Sequence, residues 1–132
     1  MHEMSWIILI ILAACLLPYV FTIIAKVAAG FVFKDNENPR AFLAKTTGLA
    51  ARADAVQQNS FESLPLFIAS ILIAEYLVMP NSTILILGSA YLIFRVLYGL
   101  CYLANLATLR SIIWFMSMAC PVLLLVICIK LL

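Results

Sequence analysis

Charged residues are scarce in this chain, and their scarcity excludes most classes of soluble protein. Lysine, arginine, aspartate and glutamate together make up 11% of the 132 residues, whereas hydrophobic residues make up 67%. A typical soluble domain carries about 25% charged residues because its surface faces water. This chain cannot cover a core with a polar surface, and we expect lipid to be its main solvent.

Residues that bind metals or nucleic acids are also few. His2 is the only histidine, and the four cysteines lie singly in apolar segments, without the CxxC spacing of zinc or redox sites. We interpret the cysteines as small hydrophobic residues in helix packing. With a net charge of only +2, the sequence predicts neither a metal site nor a nucleic-acid partner. The cysteines are Cys15, Cys101, Cys120 and Cys128.

Long apolar runs are what the chain has instead, and they predict transmembrane helices. A membrane-spanning helix needs about 20 mainly apolar residues, and the 132 residues admit four such helices with short connections. The second helix begins at Pro39 with a polar half and becomes apolar from Leu64. The sequence predicts an all-α integral membrane protein, one domain over 1–132, folded as a bundle of four transmembrane helices. The predicted helices cover about 5–33, 39–78, 83–106 and 109–132.

Basic residues are concentrated at two of the three connections between the predicted helices. The first connection and its flanks carry most of them, the third carries one, and the second, around Pro80, carries none. Cytoplasmic connections of membrane proteins carry the excess of lysine and arginine. We therefore expect the loop near 34–40 to be cytoplasmic and both termini to lie on the non-cytoplasmic side. The basic residues concerned are Lys26, Lys34, Arg40, Lys45, Arg52 and Arg110.

Polar residues at membrane depth form stripes at helical spacing. They are Arg52, Asn59 and Glu62 on the second helix, Arg95, Tyr98 and Tyr102 on the third, and Arg110 with Ser111 at the start of the fourth. Residues three, four or seven apart share one face of a helix. Ionisable groups at this depth are costly unless they are paired or face a cavity. The stripes therefore predict a basic pocket, open to the cytoplasm, that suits an anionic ligand.

A purely structural interpretation explains the same residues. In it, an ion pair between Arg95 and Glu62 fixes the helix register, and Tyr98 and Tyr102 anchor the third helix at the membrane interface. Arg110 then contacts lipid headgroups. Spacing alone does not choose between this interpretation and the pocket.

Two motifs connect these polar residues. The first is Asn59-x-x-Glu62-x-x-Pro65-Leu66-Phe67, preceded by Arg52, and the second is Arg95-x-x-Tyr98-x-x-x-Tyr102, followed by Arg110-Ser111. With the Asn38-Pro39 turn, they extend over nearly the whole chain. In these motifs the chain resembles the MAPEG superfamily, the membrane-associated proteins of eicosanoid and glutathione metabolism, and in particular its short members of bacterial type.

The resemblance implies a homotrimer of four-helix subunits in contact with membrane lipids. Glutathione, as co-substrate, would bind between subunits near the cytoplasmic side, and a lipophilic small-molecule substrate would arrive from the bilayer. Carried over by position, Arg110 would stabilise the thiolate or an oxyanion, with Ser111 as a hydrogen-bond donor. The residues implied to bind glutathione are Arg52, Asn59, Glu62, Arg95, Tyr98 and Tyr102.

Two functional hypotheses follow. The first is a microsomal-type glutathione S-transferase or peroxidase that acts on lipophilic electrophiles or lipid hydroperoxides. Its chemistry is coherent, because guanidinium groups suit the carboxylates of glutathione and a nearby cation favours the thiolate. The second is a non-enzymatic membrane scaffold or anionic-lipid binder with the same fold. Ala55 favours the second, since members with glutathione chemistry often carry an arginine at that position.

Overall fold

The computed structural model describes residues 2–132, and helices account for nearly all of them. No strand occurs in this range, and the prediction of an all-α protein is confirmed. Four of the helices are long, whereas a 3₁₀ turn and one short helix occupy the first connection. The elements are α1 (Glu3–Ala28), the 3₁₀ turn (Phe33–Glu37), α2 (Pro39–Ala44), α3 (Gly48–Tyr76), α4 (Asn81–Leu103) and α5 (Ala107–Leu131).

Three of the long helices are long and apolar enough to cross a membrane. They are α1, α4 and α5, and they support an integral membrane protein. Helix α3 is not among them, because its first half carries polar and charged side chains from Arg52 to Glu62. The fourth transmembrane helix therefore stays a prediction.

The connection between α1 and α3 differs from the predicted one. Asn38 caps α2 as its sequence position suggests, since its side chain accepts a hydrogen bond from the Ala41 N–H at 3.1 Å. However, a single helix running on from Pro39 is wrong, because α2 ends at Ala44 and α3 begins at Gly48. The Thr46 hydroxyl donates to the Leu43 carbonyl at 2.6 Å, a local bond that competes with helix continuation. Gly48 has φ +60°, which glycine adopts at little cost.

Helix α3 is the central helix of the bundle, since it packs against α1, α4 and α5. Alternate helices run in opposite directions, so the first and third connections lie at one end. There the Arg52 Nε donates to the Leu103 carbonyl at 3.3 Å. At the other end, the Asn81 amide donates to Glu3 at 3.0 Å. We call the end of the bundle that holds the first and third connections the basic end. Which side of the membrane it faces stays a prediction.

One close helix contact depends on a glycine. Gly99 of α4 lies against the Phe21 ring of α1, and a Cβ at this position would overlap that ring. Phe21 is 3% exposed and packs in a cluster with Val56 and Ile113, next to the basic end. The absent side chain at Gly99 thus lets α1 approach α4 closely enough to close the core beside the polar residues.

Candidate functional site

Arg95 is the most deeply enclosed charge of the polar cluster. Its side chain is 1% exposed, and one terminal nitrogen donates to Asn59 Oδ1 at 2.7 Å and to Ser60 Oγ at 3.1 Å. The other terminal nitrogen contacts Ser117 Oγ at 3.5 Å. The guanidinium therefore joins α3, α4 and α5. Two of the predicted site residues, Asn59 and Arg95, are in direct contact.

The partners of Arg95 are all neutral. Glu62 is exposed, and the ion pair of the structural interpretation does not form. The Arg95 Nε is buried without a hydrogen-bond partner, while the guanidinium carbon lies 4.3 Å from the centre of the Tyr98 ring. A cation over an aromatic face is stabilised most where water is excluded. A single chain thus already encloses Arg95, and its guanidinium contacts both Asn59 and Tyr98.

An aromatic pair connects this buried cation to a second one. The Tyr98 and Tyr102 rings meet edge to face, with centroids 5.7 Å apart. The guanidinium carbon of Arg110 then lies 4.1 Å from the centre of the Tyr102 ring. Arg110 is half-buried in the first turns of α5, where the helix dipole also favours negative charge. We call these four side chains, Arg95, Tyr98, Tyr102 and Arg110, the arginine–tyrosine row.

Two more predicted residues lie beside this row. Arg52 is half-buried and uses its Nε to bind the end of α4, where a cation complements the helix dipole. Glu62 is exposed on α3, three residues after Asn59. The structure thus gathers three guanidinium groups, two phenols and one exposed carboxylate near the basic end.

Ser111 is not part of this gathering. Its hydroxyl is exposed and donates to the Ala107 carbonyl, 3.1 Å away in the same helix. A serine bonded back to its own helix has no free proton to donate to a ligand. Ser111 therefore does not contribute to the cluster that contains Arg110, although the two residues are consecutive in the sequence.

A cleft of about 420 Å³ lies between α2 and α3, and Glu62 borders it. Arg40, Gln57 and Gln58 also line this α2–α3 cleft. Arg40 was considered in the sequence only as a basic residue of the first connection. Arg40 lies opposite α3 because the helix breaks at 45–47. Residue spacing along one continuous helix does not predict this position.

Ser60 and Ser117 were missed by the sequence analysis. Both are buried and supply oxygen atoms to the enclosed guanidinium. Ser117 was detectable in principle as a lone polar residue in an apolar run. Thr22 was missed as well, and its side chain forms a hydrogen bond with Gln57 that connects α1 and α3.

The helices indicate an integral membrane protein, and the polar residues form a cationic, partly enclosed cluster at one end of its bundle. A model described as the MAPEG family matches residues 5–130. The chain therefore belongs to the MAPEG family, within the membrane proteins of glutathione and eicosanoid metabolism, and the resemblance carried by the two motifs is confirmed. No curated protein matches significantly. The same holds for solved structures.

Proposed function

We propose that this protein is a glutathione-dependent membrane transferase or peroxidase that acts on lipophilic electrophiles or lipid hydroperoxides. The observation that supports this most is the position of Arg110, stacked 4.1 Å from the Tyr102 ring centre at the start of α5. Stacking fixes the plane of the guanidinium while its N–H groups remain free to bind an anion. A thiolate placed there is stabilised by a cation and by a helix N-terminus together.

The neighbouring groups suit the rest of glutathione. The tripeptide carries two carboxylates and one ammonium group. Arg52 has only its Nε engaged, and its terminal nitrogens can bind a carboxylate in a bidentate manner. Glu62 is exposed and is the natural partner of the ammonium group. Asn59 is held by Arg95 at 2.7 Å, which orients its amide for a polar contact.

Ala55 leaves no guanidinium one turn before Asn59. Arg40, however, lines the α2–α3 cleft that Glu62 borders. That cleft therefore retains one cation, Arg40, beside the carboxylates of Asp54 and Glu62. In the proposed homotrimer, the outward-facing Glu62 and Arg40 of one subunit would meet Tyr102 and Arg110, the half-buried end of the arginine–tyrosine row, of the next. The lipophilic substrate would reach the thiolate along the apolar outer faces of the helices.

The first experiment is titration of detergent-solubilised protein with glutathione. Calorimetry measures the binding, and ultraviolet absorbance measures the thiolate. We expect saturable binding and a thiolate signal. Arg110→Ala should remove the thiolate signal, because the cation beside the sulfur is lost, and Arg52→Ala should weaken binding. Lys130→Ala, which removes a cation at the opposite end of α5, is the control and should change neither.

The second candidate, a non-enzymatic scaffold or anionic-lipid binder, is favoured by Ala55 and by the enclosure of Arg95. If this candidate is correct, glutathione should form no thiolate on the protein and no electrophile should be conjugated. It also expects anionic lipid to remain bound through purification and to be lost in Arg52→Ala. A folded protein that binds no glutathione would reject the transferase proposal in favour of this one.

A further inference from the structure

A second and larger cleft at the basic end lies apart from the residues of the proposed glutathione site. It measures about 690 Å³ and lies between the end of α1, the 3₁₀ turn, α2 and the first turn of α3. This volume falls within the roughly 300–1,000 Å³ of small-molecule sites. Two cations, Lys34 and Lys45, line it, and so does the carboxylate of Glu37. We call it the α1–α2 cleft.

We propose that the α1–α2 cleft binds a phosphodiester linked to an ammonium group, the headgroup chemistry of phosphatidylethanolamine. Lys34 and Lys45 hold the phosphate, because each ammonium group offers several donors to its oxygen atoms. Glu37 is exposed and accepts the ammonium group of the ligand. Asp35 also lines the cleft, but one of its carboxylate oxygens accepts the Val32 N–H at 2.9 Å and holds the 3₁₀ turn, so Glu37 is the carboxylate with both oxygens free.

The position of the cleft indicates a lipid rather than a soluble phosphate as the source. Helix α1 is a candidate membrane span that ends at Ala28, so the residues just beyond it lie at the depth of lipid headgroups. Val27 is 76% exposed and Phe33 is 92% exposed beside the cleft. Side chains so apolar and so exposed suit contact with acyl chains. A headgroup in the cleft would leave its chains against this surface.

The start of α3 adds to the attraction for phosphate. Thr47 occupies the N-cap position but makes no side-chain hydrogen bond to the helix, so the first N–H groups of this 29-residue helix remain uncapped at the cleft. Lys26 does not line the cleft, and its ammonium group lies instead 4.5 Å from the centre of the Phe31 ring. None of these groups belongs to the proposed glutathione site.

The test is native mass spectrometry of the full-length, detergent-purified protein with equal amounts of phosphatidylethanolamine, phosphatidylglycerol and phosphatidylcholine. We expect phosphatidylethanolamine adducts to predominate. In K34Q/K45Q they should fall roughly tenfold or more, because both ammonium groups that hold the phosphate are lost. E37Q should remove the preference over phosphatidylcholine. K26Q, which removes the same charge outside the cleft, should bind as the unchanged protein does.

Several outcomes would overturn the proposal. They are equal adducts with all three lipids, a preference for phosphatidylglycerol, or binding unchanged in K34Q/K45Q. Soluble phosphoethanolamine that binds as tightly as the lipid would reject the lipid as the source. Thermal denaturation checks that the double variant is folded. If it shows no unfolding transition, K34Q and K45Q are measured singly against the same criteria. Glutathione titration of each variant should be unchanged, so this result stands apart from the transferase proposal.

Discussion

The buried guanidinium of Arg95 allows a sharp test of how the site is supported. Its shortest hydrogen bond is the one to Asn59, at 2.7 Å, and its exposed fraction is 1%. A hydrogen bond to a charged group contributes about 1.5–3 kcal/mol. Asn59→Leu removes this bond and leaves the charge in place with fewer partners. We therefore expect Asn59→Leu to lower the free energy of unfolding by about 2–3 kcal/mol.

Replacing the charge itself should have a different effect. Arg95→Met keeps much of the side-chain length and removes the buried charge, although it leaves Asn59 and Ser60 without their donor. Removing a buried charge together with its partners is often nearly neutral. We expect the double variant Arg95→Met/Asn59→Leu to be more stable than the sum of the single effects predicts, by about 1–2 kcal/mol.

The assay is reversible unfolding in mixed detergent micelles, measured by helical circular dichroism. Asn36→Leu makes the same substitution at an exposed position of the 3₁₀ turn and should change stability by less than about 0.5 kcal/mol. Additive effects of the two single variants would refute the reasoning, because they would mean that Asn59 does not compensate the charge of Arg95.

Other predictions concern packing. Gly99→Ala should lower stability by about 1–3 kcal/mol because its Cβ overlaps the Phe21 ring; thermal denaturation measures this, and Phe21→Leu in the same chain should restore part of the loss. Gly88→Ala, whose Cβ meets its nearest neighbours at 3.5 Å, is the matched control and should be tolerated. Tyr91→Phe removes the 2.7 Å hydrogen bond to Ser63 and keeps the ring, so it should cost about 0.5–1.5 kcal/mol in the same assay. An unchanged melting temperature would show that this hydroxyl pair adds nothing.

Local chemistry made several features of the fold predictable. The Asn38-Pro39 pair forms the start of α2 as its cap chemistry indicates. The break after Ala44 was not predictable in the same way. It depends on Thr46 bonding to the Leu43 carbonyl and on the positive φ of Gly48, and neither residue alone forbids a helix. That break places α2 against α3 and so forms the α2–α3 cleft.

For the site residues, too, some features were predictable from the sequence and others were not. Spacing correctly placed Tyr98 and Tyr102 together on α4, where their rings meet. It did not show that Arg95 is enclosed while Glu62 is exposed, although both belong to polar stripes. Ser60 and Ser117 carried no motif and became recognisable only through their contacts with the guanidinium.

The sequence by itself determined the membrane character of the protein, its helical class and its family. The reason is that composition and the three-to-four-residue period of a helix are properties of consecutive residues. The tertiary structure decided which polar side chains are enclosed and which remain free for a ligand. Helical spacing defines the face on which a residue lies, but only the packing of neighbouring helices determines what covers that face.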